Sequence, residues 1–173
     1  MRMVQRDVMV LGALLCAAGV GAQQYEVARI EPDVPQLYAH FGSAVDIDGT
    51  TLVVGAPDDP VNGDAAGAAY IFERGAWVGE WTQVARLEAV ASDPEDHFGY
   101  AVAVDGDTVA VGSWGDDFMA NAAGLVYVFE RDIGGPNAWG AEDILWADDA
   151  QAGDALGRAV TDRNFVSARL SLA

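Results

Sequence analysis

The sequence has no lysine: its nine cationic side chains are all arginines, set against 27 Asp and Glu for a formal net charge of −18. Such a balance disfavours nucleic acid and anionic membrane surfaces as partners, because both reward basic clusters. It suits a soluble extracellular protein, divalent cations or a basic partner, and its plainest use is to keep the surface solvated. Cysteine is confined to Cys16, inside a stretch that reads as a leader, so the chain beyond it has no thiol for a disulfide or a thiolate metal site. G-x-S-x-G and H-E-x-x-H are also missing, which removes the usual nucleophile elbow and zinc helix. Carboxylates are plentiful, but nothing singles out two of them as an acid pair. The expectation is a protein without catalytic residues or a certain cofactor.

The long apolar run, Val8 to Val20, is too short and too rich in Ala and Gly for a membrane span. With Arg2 and Arg6 before it and Val20-Gly21-Ala22 after it, it reads as an export signal over residues 1–22, cleaved before Gln23. Cys16 raises a lipoprotein alternative, opposed by Leu15, where a lipidation signal normally has a small residue. The chain is therefore expected outside the cytoplasm (secreted, periplasmic or at the cell surface), with no membrane insertion after cleavage.

What the sequence has in quantity is repetition. FGSAVDIDGTTLVVGAPDDPVNGDAAGAAYIFE from Phe41 is followed by FGYAVAVDGDTVAVGSWGDDFMANAAGLVYVFE from Phe98. The pairs Phe41/Phe98, Gly55/Gly112, Tyr70/Tyr127 and Phe72/Phe129 all share one offset. A fixed period of this size marks a repeat architecture. Asp48-Gly49 and Asp105-Gly106 stand between β-prone runs and predict hairpins, since glycine accepts the positive φ such turns need. Asp/Asn/Gly-rich loops follow at 58–66 and 115–123, then strands at 67–73 and 124–130. Trp81 and Trp139 open a more polar fourth strand. Four strands per unit is the plan of a β-propeller blade. A β-sandwich would explain the strands but not the period.

The predicted organisation is all-β: a lead-in at 23–40 holding a closing strand, Ala28-Arg29-Ile30, that matches Ala85-Arg86-Leu87; blades at 41–97 and 98–155; and the start of a third at 156–173. That third copy decays after Val160 into a shortened hairpin at 162–168. Two full units fall short of a closed ring, so the reading is a truncated or frameshifted remnant, with a homo-oligomer that completes its ring by association as the alternative.

Phe41-Gly42 followed by Gly55-Ala56-Pro57 resembles the FG-GAP repeat of the integrin alpha-chain propeller. Ser43, Val45, Asp48-Gly49-Thr50, Val102, Asp105-Gly106-Asp107-Thr108 and Tyr127-Val128-Phe129 resemble still more the bacterial secreted FG-GAP proteins. The similarity spans roughly residues 28 to 160. Departures are Ser113-Trp114 for Ala-Pro and Leu156 for Phe. The resemblance implies a seven-bladed propeller in complete members and an extracellular recognition or scaffold role, without naming a ligand.

The resemblance also raises calcium. The integrin-type D-x-D-x-D-G loop is reduced here to Asp46-Ile47-Asp48-Gly49 and Asp105-Gly106-Asp107, too short to wrap an ion. Asp58, Asp59, Asn62 and Asp64 in one downstream loop, and Asp116, Asp117 and Asn121 in the other, offer oxygen ligands for Ca²⁺. Tight turns select the same residues for backbone reasons. His40 and His97 precede the two Phe-Gly pairs and could meet on one rim as ligands or pH-sensitive groups, although Ala155 replaces them in the third copy and shared descent explains the recurrence. Trp77, Trp81, Trp114, Trp139 and Trp146 invite a carbohydrate-binding platform, while Trp81 and Trp139 recur where packing is the ordinary use. The expected function is binding, adhesion or surface scaffolding toward an unknown protein or carbohydrate, calcium-assisted if the loops bind it. The alternative is a remnant of a propeller-type hydrolase or lyase whose active centre lay in missing blades.

Overall fold

A computed structural model describes residues 9–11 and 28–161. The rest of the expected leader and the shortened hairpin at 162–168 lie outside the described residues. Ten strands and no helix are found among them. The first two, β1 (Met9–Leu11) and β2 (Ala28–Ile30), pair antiparallel. The next four, β3 (Ala44–Asp48), β4 (Thr51–Ala56), β5 (Ala68–Arg74) and β6 (Trp81–Leu87), form one antiparallel meander. The last four, β7 (Phe98–Asp105), β8 (Thr108–Ser113), β9 (Leu125–Arg131) and β10 (Trp139–Leu145), form a second with the same order. These are the two blades. No helix among the described residues is long and apolar enough to cross a membrane.

Local chemistry explains the strand ends. Gly49 and Gly106, both at φ 57°, make the turns joining β3 to β4 and β7 to β8, as Asp-Gly predicts. Strands β4 and β8 are the most apolar and lie in the middle of their sheets, buried along nearly their whole length. The phenylalanine of each Phe-Gly pair packs edge-on against the two aromatics of the third strand. Phe41 lies 5.5 Å from Tyr70 and 6.1 Å from Phe72, and Phe98 lies 5.4 Å from Tyr127 and 6.0 Å from Phe129. That contact is why Phe-Gly and the Tyr-x-Phe motif recur together: aromatic pairs at these separations favour edge-to-face geometry.

The blades stack face to face, β7 lying over β3 and β4. Val53, Ala69 and Ile71 of the first blade join Phe98, Val109, Val111 and Tyr127 of the second in one core. Such close approach needs glycine, since a Cβ on Gly55 would come within 2.0 Å of the Gly99 carbonyl oxygen. Backbone bonds from Phe98 N to Ala66 O and from His97 N to Ala65 O seal the junction, and Leu156 and Ala155 dock on Ala123 and Ala122 in the same way. The first residues of the third unit thus sit on blade two as blade two sits on blade one.

A β-bulge recurs on each outer strand, between the partners of Ile71 and Phe72 and between Ala141 and Asp143. It sets which outer-strand residue faces the buried tyrosine: Arg86 lies opposite Tyr70, and Ile144 opposite Tyr127.

Candidate functional site

Each blade carries the same lock in the loop after its second strand. Asp59 is fully buried; its Oδ1 accepts the Val61 N–H at 3.0 Å and its Oδ2 the Tyr70 hydroxyl at 2.5 Å. Its counterpart in blade two, Asp116, accepts the Phe118 N–H at 3.0 Å and the Tyr127 hydroxyl at 2.8 Å. One oxygen turns the loop and the other ties it to the third strand, so a carboxylate is kept inside by satisfying its lone pairs. In blade one Arg86 adds Nη2 to Asp59 Oδ1 at 3.0 Å, and the same guanidinium also pairs with Glu88.

The titration behaviour follows. Burial, with the Asp59 carboxylate, pushes the Tyr70 hydroxyl up to about 12, while Arg86 pulls it down. Tyr127 is pushed higher still by burial and Asp116, with Asp96 adding to it and no cation opposing. Asp96, only 2% exposed, is raised to about 6 by burial, which outweighs the Asp93 N–H bond; the charges of Asp116, Asp93 and Asp117 add to the rise. A cavity of about 340 Å³ opens beside these groups, between the loops and β10.

A second grouping lies where the Phe-Gly turns meet. His40 and His97 hold left-handed backbone at φ 52° and 54°, and Ala155 repeats it at 54°. That conformation, for which histidine is enriched among non-glycine residues, suits His40 and His97, and Ala155 adopts it without that preference. The Asp58 carboxylate joins the two rings: one oxygen meets His40 Nδ1 and the other His97 Nδ1, the latter at 3.0 Å. The His97 ring stacks on Trp114 at 4.7 Å, and the Arg158 guanidinium lies 4.6 Å from the Trp114 centroid. His40, Asp58, His97 and Trp114 border a groove of about 520 Å³.

The seven loop residues considered for calcium do not share one orientation. Asp59 and Asp116 point inward; Asp58 serves the histidines; Asn62 donates to Glu88 at 2.5 Å. Asp117 lines the cavity beside Asp116, and among the described residues no group of three or more His, Cys, Asp or Glu is placed to hold a metal ion. The shortened loop between the first two strands has another use: Asp46 accepts the Val104 N–H at 2.8 Å and Asp48 the Gly106 N–H at 2.9 Å, which ties blade one to blade two. Nor do the tryptophans form a platform. Trp139 lies under Arg131 at 4.5 Å, Trp114 in the histidine stack, Trp77 on an exposed turn, and Trp81 against the blade-one core, with Trp146 beside the cavity.

Sequence reasoning missed Asp96 and the Asp–Tyr pairing. A signal for the pairing was present, because Asp59 and Tyr70 recur together as Asp116 and Tyr127 at one spacing.

A search of curated proteins finds no match to the chain. The profile of the FG-GAP repeat matches residues 25–72 and again 81–129, more than half of the sequence. With two four-stranded blades, each opened by a Phe-Gly turn packed on its own Tyr-x-Phe strand, the chain belongs to the FG-GAP repeat family.

Proposed function

We propose that this chain is a secreted, non-enzymatic propeller segment that works by binding, in adhesion or surface scaffolding, through the rim where the Phe-Gly turns of its blades meet. One observation carries the reading: Asp58 is engaged by both His40 and His97. The rim groups with acid–base character are thereby paired with each other, and Trp114 is covered by His97 on one side with Arg158 against its ring. What the rim offers a partner is a fixed surface rather than a poised nucleophile or base, and loops held on a rigid scaffold are where recognition is commonly built.

The test is to express the full chain, sequence the N-terminus of the exported product, and assay it against chromogenic glycosides, esters and uronides and on glycan and matrix-protein arrays. The expected result is export with Gln23 first, array binding lost in a His97→Ala, Trp114→Ala double variant, and no turnover. Retention in the cytoplasm or measurable turnover would overturn the reading.

A further inference from the structure

Blade two lacks the cation that blade one keeps in its lock. The common bulge puts Ile144 opposite Tyr127 in the place where Arg86 stands opposite Tyr70. In the register of the Phe-Gly pairs, Asp96 stands where repeat one has Ala39. The two exchanges remove one positive charge and add one negative charge at the same site. Among the described residues no arginine pairs with Asp96 or Asp116. Asp96 is 2% exposed; its Oδ2 accepts the Asp93 N–H at 2.8 Å, and its Oδ1 forms no hydrogen bond among the described residues.

These groups border a real space. The cavity of about 340 Å³ is lined by Asp96, Asp116, Tyr127 and Ile144, with the exposed Val90, Phe118 and Trp146 at its mouth. Val90 and Phe118 are 68% and 71% exposed, unusually open for apolar side chains that flank buried carboxylates. A buried Asp96 carboxylate with one oxygen unbonded and the Asp116 charge beside it is costly unless a cation meets it. The molecule itself shows which cation the lock accepts: the equivalent carboxylate, Asp59, holds the Arg86 guanidinium at 3.0 Å. A planar guanidinium fits paired carboxylate oxygens better than a compact ammonium. Its alkyl stem would run along the apolar mouth, with Trp146 able to face the charge.

We propose that the blade-two cavity binds a guanidinium group carried on an alkyl stem, in the place that Arg86 fills in blade one. The group comes either from a free small cation or from the arginine side chain of a partner peptide. The inference rests on the binding role proposed above and supplies its ligand chemistry. The two fail differently: export and turnover assays test the role, cation titration tests the site.

The experiment is calorimetric titration of the full chain with ethylguanidinium and with its neutral analogue ethylurea, then with an acetylated Gly-Arg-Gly amide and its citrulline counterpart. Both cations bind one per chain, and the neutral analogues bind at least roughly ten-fold more weakly, as expected when a charge-assisted bond is lost. A peptide that binds more tightly than ethylguanidinium identifies a partner side chain as the source; equal binding identifies a free cation. Affinity falls on acidification from pH 7.5 to 5 as Asp96, raised to about 6, takes up its proton. Asp96→Ala, which restores the residue of repeat one, weakens binding, and Ile144→Arg abolishes it while raising the melting temperature. Absence of cation binding, equal binding of ethylurea, or undiminished binding by folded Ile144→Arg would each overturn the proposal.

Discussion

Gly55 and Gly99 touch across the blade boundary, and a Cβ on Gly55 would lie 2.0 Å from the Gly99 carbonyl oxygen. Gly112 and Gly157 repeat the relationship at the next boundary, at 1.9 Å. The glycine of Gly-Ala-Pro, like that of Gly-Ser-Trp, is therefore there to let two sheets meet. Gly106 is a different case: it has positive φ but nothing within 4 Å of a new Cβ. Gly106→Ala is expected to cost about 1 kcal/mol, the strain of a left-handed alanine, whereas Gly55→Ala should abolish cooperative unfolding or lower the midpoint several times as far. Urea denaturation of the two variants separates these outcomes.

Arg86 and Asp59 form an ion pair with the carboxylate fully buried. Arg86→Met leaves that charge without its cation and is expected to cost on the order of 3 kcal/mol, the range for breaking a buried pair. Asp59→Asn combined with Arg86→Met should recover part of the loss, because both charges leave together. A double-mutant cycle by chemical denaturation measures the coupling.

Arg131 spans the boundary between blades. It contacts Glu73 and Thr51 of blade one, Asp107 of blade two at 2.7 Å, and the Trp139 ring at 4.5 Å. Although burial alone would lower its pKa, Glu73 and Asp107 raise it, so its charge is stabilised in the fold. Arg131→Gln is expected to cost about 2 kcal/mol, the size of a lost charge-assisted bond. The gap from the wild-type chain should narrow in 1 M salt as screening weakens the pairs.

Much of the blade was legible in the sequence because a hairpin and a buried strand are local statements. Asp48-Gly49 and Asp105-Gly106 fixed two turns, and the constant register of the two copies placed β5 and β9 next to their observed starts at Ala68 and Leu125. The site was less legible because it lies in differences between copies. Asp58 joins two histidines, but its counterpart is Gly115, so matching the repeats hid it. Arg86 and Ile144 are equivalent only through a slip in the outer strand, where Trp139 falls just past the position that the Phe-Gly register assigns to the match of Trp81. Asp96 replaces Ala39 in the loop before the Phe-Gly turn, and only the incomplete third copy repeats it, as Asp154, whose Oδ2 accepts the Gln151 N–H as Asp96 accepts that of Asp93.

Asp96 also sets a pH dependence. Its carboxyl rises from 3.8 to about 6 in the fold, chiefly through burial, so the folded state binds a proton that the unfolded state has released across that window. Stability from this group therefore falls as pH rises between those values; the penalty is full above the upper one and absent below the lower. Asp96→Asn keeps an acceptor for the Asp93 N–H and removes the charge. Its melting temperature should exceed that of the wild-type chain by roughly 2–8 °C at pH 7.5, as a change of about 1–2 kcal/mol gives. The two should converge near pH 4, and scanning calorimetry at both values checks the sign.

The most direct test of the account is the titration of the Asp96 carboxyl by carbon-detected NMR, in the wild-type chain and in Ile144→Arg. If blade two keeps a buried carboxylate pair without the cation that blade one supplies, Asp96 titrates near 6 in the wild-type chain and shifts down when the arginine is grafted in. An Asp96 that titrates at the ordinary 3.8 in the wild-type chain, or one indifferent to the graft, would contradict it.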